Sequence, residues 1–144
     1  DRLRLGVKYL KEILDNLNLK SFLKTSGGKG YHICIPFKNN LTWKKFYKIS
    51  EDIANIIENT HSELFTTNNR KEKRKNKIFI DYLRNQKSAT FVAPYSVRLR
   101  KNAPVSMPIA WNELDKIKPN EITIYKAIKR LKKKDPWKDF FTSN

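Results

Sequence analysis

Three of the four glycines of the chain lie within six residues, Thr25 to Gly30, and this cluster limits where the chain can turn. Glycine adopts backbone conformations that side chains disfavour, so the segment predicts a loop with a tight backbone path. The residues before it, Ser21 to Lys24, can form a short strand. The residues after it, Tyr31 to Pro36, alternate in character as a strand does. The sequence therefore predicts a glycine-rich loop that leads into a strand.

The spacing of apolar residues predicts three helices along the rest of the chain. The first covers residues 3–17 and carries an apolar stripe, formed by Leu3, Val7, Leu10, Leu14 and Leu17. The second begins near Thr42, a suitable N-cap, and carries on one side Trp43, Phe46, Ile49, Ile53 and Ile56. The last runs from Asn120 to Lys134, with lysines outward and three apolar residues inward, Ile124, Ile128 and Leu131. Two further strands are predicted, at Ile78 to Tyr82 and at Thr90 to Ala93.

The formal net charge of +17 is far larger than solubility requires, and it favours polyanionic partners. Nucleic acid is the first candidate, and an anionic membrane surface is the second. No run of about 18 apolar residues is present, so no membrane-spanning helix is predicted. The chain of 144 residues is long enough to bury a core without disulfides. Its one cysteine, Cys34, cannot form an internal disulfide, which is typical of a reducing cytoplasm.

The glycine-rich loop has two interpretations. Glycines let backbone N–H groups approach an anion closely, and Ser26 and Lys29 add further donors, so the loop can bind phosphate. The alternative is a hairpin turn with an incidental lysine. The loop is not a Walker A motif, because the spacing to Lys29 differs and a strand follows it instead of a helix.

Two single residues also allow a functional and a structural interpretation. His32, close to the loop, can donate to a phosphate oxygen, or it can be a structural histidine of a strand. Asp81 lies within an apolar run, where a carboxylate is costly unless it is paired or binds a metal. It is predicted either to ligate a metal or to form a buried ion pair.

Three segments concentrate the positive charge: Arg70 to Lys77, Arg98 to Lys101, and Lys126 to Lys134. One such segment is usually a solvated face, but three of them favour binding to nucleic acid. Aromatic side chains that can stack on bases accompany them, among them Trp43, Trp111 and Trp137.

Several blocks of sequence occur together in a specific order. They are residues 24–32 (KTSGGKGYH), 80–85 (IDYLRN), 92–98 (VAPYSVR), 103–111 (APVSMPIAW) and the closing 135–137 (DPW). In order and spacing the chain resembles the polymerase domain of bacterial ATP-dependent DNA ligase D, a member of the archaeo-eukaryotic primase superfamily that serves non-homologous end joining. The resemblance covers essentially all of residues 1–144, as the C-terminal part of that domain.

The resemblance implies a fold and a set of site residues. The fold is α+β, a partial antiparallel sheet flanked by helices, as in a primase-polymerase catalytic core without its N-terminal portion. Ser26, Lys29 and His32 match the motif that binds the triphosphate of the incoming nucleotide, and Arg98 matches a basic position near its phosphates. Asp81 matches the third catalytic carboxylate, a ligand of Mn²⁺ or Mg²⁺. A basic stretch that meets phosphates of nucleotide or template is matched by Arg70, Lys71, Lys73 and Arg74.

The chain departs from the family in one respect, because the Asp-x-Asp motif that lies upstream in the family occurs nowhere in residues 1–144. Two-metal transfer of a nucleotide to a 3′-hydroxyl needs several carboxylates. The implied function is template-directed addition of ribonucleotides or deoxyribonucleotides to DNA ends, incomplete here. We expect this chain alone to be inactive and to hold no tightly bound metal.

The chain begins with Asp1, and three origins are consistent with it: half of a split enzyme whose other chain carries the Asp-x-Asp half, a degraded gene product, or a fragment of a longer protein. The alternative function is a non-catalytic protein that binds nucleic acid or nucleotide and derives from such a domain. A bacterial cytoplasmic location, no membrane partner and self-association through uncovered apolar surface are also expected.

Overall fold

The chain combines helices with a small antiparallel sheet, which confirms the α+β class. The structure is a computed structural model and describes residues 2–37 and 40–143. The helices in these residues are α1 (Arg2–Asn16), α2 (Trp43–Thr60) and α3 (Ile124–Arg130). The strands are β1 (Phe22–Thr25), β2 (Tyr31–Cys34), β3 (Phe65–Thr66), β4 (Ile78–Phe79) and β5 (Pro108–Ile109). None of these helices is both long enough and apolar enough to cross a bilayer.

The chain divides into two compact units. The first consists of Asp1–Ile13 and Asn39–Phe91, and the second consists of Leu14–Lys38 and Val92–Asn144. We call them the helical unit and the hairpin unit, and each is described by itself.

The hairpin unit contains the antiparallel sheet that the sequence predicts, with strand order β2-β1-β5. The register places Lys24 opposite His32 and Leu23 opposite Ile33. Because opposed residues of an antiparallel pair point to the same face, Lys24 and His32 lie on one face of the sheet. Leu23 is fully buried. The unit buries further apolar side chains, among them Leu14, Phe22, Val105, Met107, Ile109, Leu114 and Ile122.

The helical unit is built around α2. Thr42 is its N-cap, as predicted, and its hydroxyl accepts a hydrogen bond from the Lys45 N–H at 3.3 Å. The core cluster comprises Ile57, Leu64 and Phe65, surrounded by the partly buried Tyr9, Leu10, Ile13, Ile53, Ile78 and Ile80. Strands β3 and β4 pair in parallel beside this cluster.

The predicted third helix is too long, and its inward face is wrong. It starts only at Ile124 because the preceding backbone is used elsewhere: Thr123 bridges Pro104, and the Ile122 carbonyl accepts from the Val105 N–H at 2.7 Å. At the other end the helix stops at Arg130, and the Lys133 N–H donates to the Arg130 carbonyl at 2.9 Å in a turn. The three residues predicted to face inward are exposed, with fractions of 39% for Ile124, 54% for Ile128 and 63% for Leu131. Ile122 and Ala127 are buried instead.

Two strand predictions are also wrong, one in its length and the other in its existence. The predicted Ile78 to Tyr82 strand is limited to β4, because its partner β3 has only two residues to pair with. The predicted strand at Thr90 to Ala93 is irregular backbone. On α2, Trp43 and Ile56 of the predicted apolar side are largely exposed, whereas Ala54 and Ile57 are buried.

Adjacent isoleucines on α2 test this helix orientation. Ile57 is 1% exposed and Ile56 is 47% exposed. We expect Ile57→Ala to lower the free energy of unfolding by about 2–5 kcal/mol, because it opens a cavity in the core cluster. The matched control Ile56→Ala should cost less than about 1 kcal/mol. Urea denaturation measures both variants, and equal losses would contradict the helix orientation described here.

Candidate functional site

The glycine-rich loop is the turn of the β1–β2 hairpin, and Ser26 stabilises it through hydrogen bonds to other residues of the loop. The Ser26 N–H donates to the Gly30 carbonyl at 3.0 Å. The Ser26 hydroxyl oxygen accepts from the N–H of Gly28 at 3.1 Å and of Gly30 at 3.2 Å. These two amides therefore point to the serine, although the sequence suggested that the loop amides bind an anion. The Ser26 O–H remains a donor of its own.

Gly27 is the position where the loop requires glycine. Its φ is +64°, and a Cβ added there would lie 2.6 Å from Arg98 Cγ and 3.3 Å from the Pro104 carbonyl oxygen. An L side chain would therefore be strained and would also displace Arg98. The absence of a side chain at Gly27 allows the Arg98 side chain to lie directly against the loop.

Arg98 is held at this place by a small hairpin of its own. Its N–H donates to the Pro104 carbonyl at 2.8 Å, and Val97 forms an antiparallel bridge with Val105. The Ser106 N–H donates to the Ser96 carbonyl at 2.9 Å. We call residues 92–106 the arginine segment, because it presents Arg98 to the glycine-rich loop.

Lys24 is a site residue that the sequence analysis missed. It is fully buried, and its Nζ donates to the Val92 carbonyl at 2.7 Å and to the Ser106 hydroxyl at 2.6 Å. The signal was present, because a lysine in the strand before the loop lies opposite His32 once the strands pair around that turn. Only the register of the hairpin shows that Lys24 and His32 are opposite each other.

Positive charge accumulates on the face of the sheet that carries Lys24 and His32. Burial, followed by the positive charges of Lys24 and Arg98, lowers the pKa of His32 to about 4. His32 is therefore neutral at pH 7 and has one ring N–H to donate. Burial also raises the pKa of the Cys34 thiol to about 11, so this cysteine is not a reactive thiolate.

All four residues predicted to bind nucleotide belong to the hairpin unit. Ser26, His32 and Arg98 are partly buried around the loop, whereas Lys29 is exposed at its tip. The arrangement combines one hydroxyl, a neutral imidazole and cationic side chains. Such a set can bind a phosphate group through charge-assisted hydrogen bonds.

Asp81 belongs to the helical unit and lies two residues beyond the end of β4. Its side chain is exposed, so the buried ion pair considered for it is wrong, and its carboxylate has no burial cost to offset. Residues 2–37 and 40–143 contain no group of three His, Cys, Asp or Glu side chains that could hold a metal. These residues therefore do not fit a Mn²⁺ or Mg²⁺ site by themselves.

The basic stretch of the helical unit contains three exposed cationic residues and one arginine with structural contacts. Arg70, Lys71 and Lys73 are exposed on a 3-10 turn and its N-cap. Arg74 holds the stretch in shape: its guanidinium carbon lies 3.9 Å from the centre of the Phe79 ring, and it donates to the carbonyls of Asn68 and Asn69 at 3.1 and 2.8 Å.

Two of the three tryptophans have structural partners in the hairpin unit. Trp111 Nε1 donates to the Ser21 carbonyl and Trp137 Nε1 to the Leu23 carbonyl, both at 2.9 Å. Trp137 also stacks on Phe140. Trp43 is 55% exposed and is the tryptophan whose surface is most open to a base.

Comparisons with known proteins agree on one family. The family model for the LigD primase-polymerase domain matches residues 3–137. A multifunctional non-homologous end joining protein LigD of Pseudomonas aeruginosa is 37% identical over 132 residues, 89% of this chain and 16% of that protein. A bifunctional LigD of Bacillus subtilis is 33% identical over 135 residues, 92% of this chain and 22% of that protein.

A solved structure extends the agreement to the fold. The polymerase domain from Mycobacterium tuberculosis ligase D, in complex with DNA, matches with a TM-score of 0.87 and 26% identity. The match covers 99% of this chain and 50% of that one. This chain thus spans half of that solved domain and less than a quarter of either curated relative.

The low pKa of His32 gives a pH dependence that can be measured. Its imidazole signals should stay unchanged from pH 8 to 5 and titrate near pH 4, instead of the ordinary 6.5. The unfolded state binds the proton first, so the free energy of unfolding should fall as pH decreases from 6.5 to 4. Proton NMR and urea denaturation test this, with His32→Asn as the control that loses this part of the slope. A His32 titration at pH 6.5 would contradict the described burial.

Proposed function

Because the chain belongs to the LigD primase-polymerase family, we propose that it supplies the nucleotide-binding part of a polymerase that adds nucleotides to DNA ends during non-homologous end joining. The observation that carries the proposal is the contact of Arg98 with the glycine-rich loop, on the sheet that also presents His32. A hydroxyl, an imidazole and positive charge converge there.

The proposed ligand is the triphosphate of a nucleotide. Arg98 offers a planar fork that matches two phosphate oxygens, and Lys29 offers a mobile ammonium at the loop tip. The Ser26 hydroxyl and the neutral His32 ring each add one donor. Phosphoryl chemistry depends mainly on positioning and charge stabilisation, and these four residues supply both for the non-reacting phosphates.

The transfer step itself belongs to the whole domain. A divalent cation would there polarise the reacting phosphate and orient the attacking 3′-hydroxyl. We assign no step to a cation in this chain, because its described residues do not form a metal site and no Asp-x-Asp occurs in residues 1–144. A ligand role of Asp81, next to carboxylates outside these residues, stays a prediction.

DNA is the proposed second ligand. The solved domain that this chain resembles is in complex with DNA, and the net charge of +17 here favours phosphate backbones. In the helical unit, Arg70, Lys71 and Lys73 are exposed on a 3-10 turn and its N-cap, next to Arg74. These three side chains form the proposed DNA contact of the helical unit. We also propose a bacterial cytoplasmic location for the protein.

A second candidate function is binding without catalysis. It is favoured by the exposed Asp81, which belongs to no group of three or more potential metal ligands among residues 2–37 and 40–143. The ligand of this second candidate is nucleic acid or nucleotide, so a triphosphate titration tests the first candidate and the nucleotide-binding form of the second.

Calorimetric titration with a nucleoside triphosphate tests the phosphate site. Without a metal to bridge the phosphates, we expect weak binding, with a Kd of about 1 mM. Lys29→Ala should weaken binding several-fold, since it removes a full charge at the loop tip. Lys116→Ala, an exposed lysine outside the loop and the arginine segment, is the control. Equal binding by all three proteins would contradict a phosphate site at the loop.

DNA binding should depend strongly on salt. If about six phosphates are contacted, affinity should fall roughly a thousandfold between about 50 and 200 mM salt. Replacing Lys71 and Lys73 with alanine should reduce the logarithmic salt slope by about two. Replacement of the exposed Lys44 and Lys45 of α2 is the matched control. Fluorescence anisotropy with short duplexes measures both, and equal slopes would contradict the assigned contact.

A further inference from the structure

Lys24 is a lysine without exposed surface, in the middle of the three-stranded sheet. Lysine is almost never fully buried, because removing an ammonium from water carries a large desolvation cost. A methionine of similar length would fill the same space at a lower cost. The position therefore calls for a reason beyond packing.

The contacts of Lys24 tie two segments together. Its Nζ reaches the Val92 carbonyl and the Ser106 hydroxyl, which lie at the two ends of the arginine segment. The Ser106 hydroxyl in turn donates to the Thr25 carbonyl at 2.9 Å. The Thr25 hydroxyl accepts from the Met107 N–H at 2.9 Å. A buried polar network thus joins the end of β1 to the arginine segment, directly before the glycine-rich loop begins.

The charge of Lys24 also faces the proposed phosphate site. Lys24 lies opposite His32 in the sheet, and its ammonium is one of the charges that act on that ring. Arg98, the other such charge, lies against Gly27. Salt screens buried charges less than exposed ones, so the Lys24 ammonium can add to the positive potential that a bound anion meets.

We propose that Lys24 is a positioning residue of the phosphate site: its buried ammonium holds the arginine segment against the hairpin and adds a fixed positive charge beneath the bound phosphates. This inference rests on the proposed function, since it concerns the same site. Lys24 would not touch the ligand. It acts through the placement of Arg98 and through its electric field.

The ionisation of Lys24 makes the inference testable by pH. Burial lowers its pKa to about 8, with a raising contribution from Cys34 and a lowering one from Arg98. A bound anion favours the protonated ammonium, so affinity should be highest well below pH 8 and should fall as the pH rises through about 8. His32 and Cys34 on β2, with pKa values of about 4 and about 11, do not titrate near pH 8.

The first measurement uses the unmodified protein and a nucleoside triphosphate without metal. Affinity should fall about tenfold between about pH 7.5 and 9.5, a range in which the phosphates are already ionised. At about pH 8.5, calorimetry in buffers of different ionisation enthalpy should detect proton uptake on binding. A triphosphate affinity that is independent of pH, with no proton uptake on binding, would overturn the inference from the unmodified protein alone.

The second measurement compares Lys24→Met with Lys116→Met, an equal loss of charge on the surface. Lys24→Met should bind triphosphate about tenfold more weakly at about pH 7.5 and show no fall toward about pH 9.5. Lys116→Met should keep the parent affinity and pH profile. A folded Lys24→Met with the parent affinity and profile would overturn the inference while leaving the proposed function intact. A parent that binds no triphosphate would contradict the proposed function and, with it, this inference.

Discussion

The contact between Arg98 and Gly27 determines how the hairpin unit is built. The arginine side chain can lie there only because Gly27 has no Cβ and adopts a positive φ. The loop keeps this shape because the Ser26 hydroxyl oxygen accepts hydrogen bonds from the N–H groups of Gly28 and Gly30. The arginine segment keeps its position through its own bridge and through Lys24. Sheet, loop and segment thus support one another around a single close approach.

This construction has an electrostatic consequence. Burial is the first cause of the lowered pKa values of Lys24 and His32, and the charge of Arg98 lowers both further in the same direction. Holding these groups in the fold without a nearby anion is a stability cost for the isolated protein. An anion would relieve it, which is the pattern expected of a binding site whose strain serves function.

The local signals of the sequence were sufficient for the hairpin, the presence of the first two helices, the Thr42 cap and the family, because each depends on neighbouring residues or on a specific motif. The errors have tertiary causes. Ile124, Ile128 and Leu131 have helical spacing, but the bridge between Thr123 and Pro104 sets where α3 begins and which side is buried. Lys24 was missed because its partners, Val92 and Ser106, lie 68 and 82 residues away. Asp81 was placed in a strand that β3 is too short to pair.

The central claim is that the glycine-rich loop and the arginine segment form one phosphate site. Amide NMR of the ¹⁵N-labelled chain, titrated with a nucleoside triphosphate, tests it most directly. We predict that the perturbed signals cluster on Gly27 to Gly30, on His32 and on Arg98. Perturbations confined to residues 70–77, with the loop signals unchanged, would contradict the claim and leave the loop as a turn.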